Sequence, residues 1–72
     1  MEVRLFATFR EGRGKTVHVD WYEGMDGFAL FSTLKIDPKE PSIFVINGVI
    51  STLDTKLKPE DIVALFPQIA GG

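Results

Sequence analysis

The chain has 72 residues, so it makes one domain, near the smallest size that keeps a hydrophobic core without disulfides or metal. It has no cysteine and a single histidine, which excludes disulfides, thiolate metal sites, thiol chemistry and a histidine metal cluster. A formal net charge of −2, with basic residues scattered rather than striped, excludes the electrostatic footprint of a nucleic-acid binder.

From Met1 to Phe9 the sequence alternates, with Val3, Leu5, Ala7 and Phe9 on one face and Arg4, Phe6, Thr8 and Arg10 on the other, which predicts a half-buried first strand. This segment lacks the apolar block of a signal peptide and no stretch reaches transmembrane length, so a cytoplasmic protein without membrane contact is expected. Glu11-Gly12-Arg13-Gly14-Lys15 reads as a turn, and Val17, Val19 and Trp21 then oppose Thr16, His18 and Asp20 in a second strand, making an opening hairpin. Gly14-Lys15-Thr16 matches the end of a phosphate-binding loop, but that loop needs a glycine where Phe9 stands and a helix where a β pattern follows. It reads as a hairpin turn. His18, on the polar face with no second imidazole, reads as a surface side chain.

Asp26 is placed to cap a short helix from about Gly27 to Lys35, whose apolar face is Phe28, Leu30, Phe31 and Leu34. Asp37-Pro38-Lys39-Glu40-Pro41 ends the helix and turns the chain. Ser42 to Ile46 is a β-branched and aromatic strand; Asn47-Gly48 predicts a type I′ hairpin turn, and Val49 and Ile50 return from it. Leu53 and Leu57 are expected core anchors, and Pro59-Glu60-Asp61 launches a last strand, Ile62 to Phe66. Asp20, Glu23, Asp54, Glu60 and Asp61 read as turn chemistry and solvated charge.

This order predicts an α+β roll: a mixed sheet with its first and last strands parallel at the centre and one helix across one face. Residues 1–66 are expected to form a single domain and 67–72 a flexible C-terminal tail. Phe6, Ile50 and Phe66 fall on the face opposite the core, which marks a partner interface at the root of the tail. Gly71 and Gly72 have no Cβ, so this end can thread a narrow channel and leaves its carboxylate sterically open.

Three segments together carry a family likeness: Leu5-Phe6-Ala7-Thr8-Phe9-Arg10-Glu11, Val45-Ile46-Asn47-Gly48, and the stretch from Leu57 to Gly72. The sequence resembles the MoaD/ThiS family of ubiquitin-like sulfur carriers, small β-grasp proteins, over essentially its whole length. The resemblance implies that Gly72 is the reacting residue, adenylated by a ubiquitin-activating-type enzyme (MoeB/ThiF-like) that uses ATP, then converted to a thiocarboxylate. It implies no bound cofactor or metal, and a carrier subunit that is not catalytic by itself. It also implies that Phe6, Ile50, Phe66, Pro67, Ile69, Ala70 and Gly71 meet partner enzymes, and that the free protein is a monomer. Phe66-Pro67-Gln68-Ile69-Ala70-Gly71-Gly72 is more similar to the small subunit of molybdopterin synthase, whose partner is a large MoaE-like subunit, than to the thiamine carrier. Thiamine or tRNA thiolation, through another sulfur-accepting enzyme, and conjugation of Gly72 to protein lysines stay open. The chain departs from the family at Glu60-Asp61, where Gly-Asp is usual, and at Pro67-Gln68, where the molybdopterin branch carries paired prolines.

Overall fold

The structure is a computed structural model that describes residues 1–68. Five strands, β1 (Glu2–Leu5), β2 (Thr16–His18), β3 (Ser42–Ile46), β4 (Val49–Ser51) and β5 (Ile62–Pro67), form one sheet in the order β2-β1-β5-β3-β4. β1 and β5 run parallel, with Val3 beside Val63 and Leu5 beside Leu65, while the other neighbours are antiparallel. A parallel pair needs a long crossover, and the helix α1 (Gly27–Leu34) lies in the chain between them. The expected mixed sheet with parallel first and last strands is therefore present.

Side chains alternate across a strand, so one face of the sheet carries Val3, Leu5, Phe44, Val63 and Leu65, all buried. Leu30 and Phe31 of α1 complete this core, the ring of Phe31 meeting that of Phe44 edge-on at 6.2 Å. Each such side chain contributes about 1.5–3 kcal/mol by leaving water. Asp26 caps α1 as predicted, its carboxylate accepting from the Ala29 amide at 3.0 Å. Asn47 and Gly48 both have positive φ, 51° and 82°, as a type I′ turn requires.

Several details differ from expectation. The second strand stops at His18 instead of running on to Trp21. The first strand stops at Leu5 instead of continuing to Phe9, because Ala7 turns to φ 52° and Ala7–Arg10 form a 3-10 turn closed by Phe9 N–H donating to the Phe6 carbonyl. Ala7 is consequently exposed, whereas Phe9 reaches the core from the turn. α1 ends at Leu34, before the prolines, because Lys35 adopts the left-handed conformation and Ile36 N–H donates back to the Phe31 carbonyl. Phe28, on the first turn of α1, is 50% exposed, and Met25 and Ile36 fill the core at the helix ends. Asp61 is buried rather than solvated: its carboxylate accepts from Asn47 Nδ2 and from the Lys58 amide, each at 2.8 Å. Leu57 is a core anchor as expected, and Leu53 packs against the core while partly exposed. Among the described residues no helix is long and apolar enough to cross a membrane.

Candidate partner-binding face

The strand alternation that buries Val63 and Leu65 turns Ile62, Ala64 and Phe66 to the opposite face, which α1 leaves uncovered. Register extends this face sideways. Ile43 lies opposite Phe66, Val45 opposite Ala64, and Ile50 opposite Val45, while Arg4 stands beside Ala64 on the other flank. The open face is therefore apolar across β5, β3 and β4, with Ile43 38%, Ile62 39% and Ile50 76% exposed. Small domains need their apolar side chains inside, so a connected set held outside makes this face the candidate surface for association.

Phe6 and Phe66 meet at the tail end of this face. Their rings stack with centroids 4.2 Å apart and planes 12° from parallel. Phe6 continues the parallel pairing, its amide donating to the Leu65 carbonyl at 3.2 Å, before the chain turns away at Ala7. The 3-10 turn brings Arg10 back over Phe6, 5.2 Å from the ring centroid, with its Nε donating to the Leu5 carbonyl at 2.7 Å. A guanidinium over an aromatic face is attractive, so Arg10 and Phe66 hold Phe6 from its two sides.

Of the residues singled out in the sequence, Phe6 and Phe66 are in contact, Pro67 ends β5 immediately after them, and Ile50 shares their face two strands from β5. Ile69, Ala70, Gly71 and Gly72 lie outside the described residues. Sequence reasoning missed Arg10, because an uninterrupted strand would have carried it about 13 Å along from Phe6. It also missed Ile43 and Val45, whose outward direction follows only from the register of β3 against β5. This face is mainly apolar, with Arg10 at its tail end and the Arg4–Glu2 ion pair on its flank, Glu2 standing beside Ile62, and the chemistry it offers is association.

A five-stranded mixed sheet with parallel first and last strands and one helix across one face defines the ubiquitin-like β-grasp class. Within that class, residues 3–72 match the ThiS family, and the chain belongs to it. Among solved structures it is similar to SAMP1 from Haloferax volcanii, at 27% identity and a TM-score of 0.77, over 99% of this chain and 97% of that one. A chain in the complex of subunits 1 and 2 of molybdopterin-converting factor from Helicobacter pylori 26695 is 25% identical, with a TM-score of 0.64 over 99% of this chain and 96% of that one. A putative molybdopterin converting factor subunit 1 from Pyrococcus furiosus shares the fold, at 23% identity and a TM-score of 0.78 over 94% of this chain and 95% of that one. No curated protein matches the sequence.

Proposed function

We propose that this protein is a sulfur carrier whose Gly72 carboxylate is adenylated, converted to a thiocarboxylate and used to deliver sulfur in molybdopterin synthesis. The observation that carries the reading is the family match, which extends through Gly71-Gly72, in a chain whose open face gathers Phe6 and Phe66 at the end of β5. A carboxylate is a poor electrophile. Its oxygen attacks the α-phosphorus of ATP on the partner enzyme, releasing pyrophosphate, and a sulfur nucleophile then displaces AMP from the acyl-adenylate. The carrier supplies the carboxylate and the docking face, and the partner supplies nucleotide and catalysis. Residues 69–72 serve as the tail that enters the partner, with Ile69, Ala70 and Gly71 lining the channel, while Pro67, the last residue of β5, and Ile50 widen the docking face.

Two partners follow: an adenylating enzyme of the MoeB/ThiF type, and a large sulfur-accepting subunit of the MoaE type. The likeness to a chain of the Helicobacter pylori two-subunit complex supports the second. The ThiS family match equally favours delivery to another sulfur acceptor, in thiamine or tRNA thiolation. An activated Gly72 could also be transferred to lysine amines of proteins. The free protein is monomeric and cytoplasmic in this reading. The test is the intact mass of the protein after incubation with an adenylating enzyme of demonstrated activity, ATP and a sulfur donor. Exchange of one terminal oxygen for sulfur is the expected result, and an unchanged mass refutes the carrier reading. Restoration of molybdopterin synthesis in an extract lacking the carrier then separates that pathway from the others.

A further inference from the structure

The open face is not level. β5 runs through the middle of the sheet with the outward series Ile62, Ala64, Phe66, so its smallest outward side chain lies between two large ones. Register places Arg4 on one side of Ala64 and Val45 on the other. A methyl group ringed by four longer side chains leaves a depression, and one of about 390 Å³ opens there, with the Asn47-Gly48 turn at its rim.

The cation at this depression is only partly engaged. Glu2 accepts from Arg4 Nε at 2.6 Å, and the terminal Nη groups have no partner among the described residues. The Arg4 side chain is 52% exposed, which leaves those donors open to solvent. Arg10, the other cation of the face, is already committed to the Leu5 carbonyl and the Phe6 ring. A partner that covered the depression with apolar groups alone would strip water from the Nη donors and leave them unpaired, which opposes binding. A carboxylate removes that penalty, because the guanidinium fork matches its two oxygens.

We propose that the depression over Ala64 is the anchor point of the partner interface, taking one large apolar side chain from a partner protein, with an Asp or Glu of that partner set against Arg4. The inference rests on the open face being the docking surface of the carrier. It adds which contact dominates there and what chemistry the partner brings.

The small probe 4-phenylbutyrate combines an apolar ring with a carboxylate and tests the site without any partner enzyme. Titrated into the isotope-labelled protein, it is expected to shift the NMR signals of the Val45 and Ile62 methyls and of Arg4 Nε–H. It should bind about threefold more tightly than 4-phenylbutanol, the scale of one exposed ion pair. Arg4→Gln should erase that preference while leaving the alcohol's binding unchanged, and Ala64→Leu should abolish binding of both probes. Shifts elsewhere only, equal binding of acid and alcohol, or undiminished binding to Ala64→Leu overturns the proposal.

A second arm uses the adenylating enzyme. Ala64→Leu should raise the carrier's KM by about tenfold or more, as loss of a central anchor does, with kcat and the unfolding midpoint kept. Unchanged KM in that variant, with the wild type adenylated, overturns the anchor and leaves the carrier reading intact. Binding of phenylbutyrate as described, with no sulfur loading by an active enzyme, supports the site and defeats the carrier reading instead.

Discussion

Lys35 occupies a left-handed conformation, φ 60° and ψ 40°, where a Cβ is strained and glycine is at ease. It closes α1, with its own amide donating to Ser32 and that of Ile36 to Phe31, the geometry of a glycine-ended helix without the glycine. Relief of about 1–2 kcal/mol of left-handed strain, less about 0.4–1 kcal/mol for glycine's greater freedom in the unfolded chain, makes Lys35→Gly stabilising by about 0.5–1 kcal/mol in urea unfolding, and a destabilised variant would contradict the strain argument. Asp61 has the opposite character. Its carboxylate joins the Lys58 turn to Asn47, whose Oδ1 in turn accepts from the Ile62 amide at 2.9 Å. Asp61→Ala should cost about 2 kcal/mol in the same measurement, because it leaves the Lys58 and Asn47 donors unpaired. The turn at Pro59-Glu60-Asp61 was legible, but the burial was not. Asn47 is 14 residues away, and no local pattern announces that the two side chains will face each other.

At the scale of elements, the β3–β4 hairpin and the Asp26-capped helix follow from turn and cap chemistry written in adjacent residues, and they appear where expected. The seating of α1 is another matter. Gly27, its first residue, lies so close to the 52–57 loop that an added Cβ would come within 2.8 Å of the Leu53 Cα and carbonyl oxygen. The Phe28 amide donates to Leu53, and the Leu57 amide to Met25, so the loop is tied to the helix start by backbone on both sides. Gly27→Ala is expected to destabilise the fold by about 1–3 kcal/mol, read from thermal unfolding by circular dichroism, since the obstacle is backbone that cannot step aside. The first strand shows the limit of periodicity. Alternation persists to Phe9 in the sequence, yet the chain leaves the sheet at Ala7, held by Arg10 on the Leu5 carbonyl and by Arg13 Nη1 on that of Phe9.

For the whole molecule, the core on one face and the proposed docking surface on the other are expected to be separable by mutation. Phe66→Ala removes the stack with Phe6 and should lower stability by about 1 kcal/mol. It should weaken the complex with an adenylating enzyme by about tenfold or more, as truncation of a central aromatic does. Calorimetric titration beside thermal unfolding checks the pair, and equal losses in both would assign Phe66 to the fold instead. Deletion of Gly72 should leave the unfolding midpoint unchanged and abolish adenylation. The described sheet pairing and core are complete by Gln68, whose amide donates to the Pro41 carbonyl. A lowered midpoint in that deletion would count against the tail being dispensable to the fold.

By itself the sequence determined the order of elements, the parallel pairing of first and last strands, and the two-faced character of β5. The order and the two faces rest on local chemistry and a period of two, and the parallel pairing on the helix that lies between the two strands and supplies the crossover. Tertiary structure alone decided the Arg10–Phe6–Phe66 stack, the burial of Asp61 and the depression over Ala64. Each of these depends on strand register or on a turn that brings residues distant in the chain to within a few ångströms, and alternation shows which face a side chain takes without showing which neighbour it meets there.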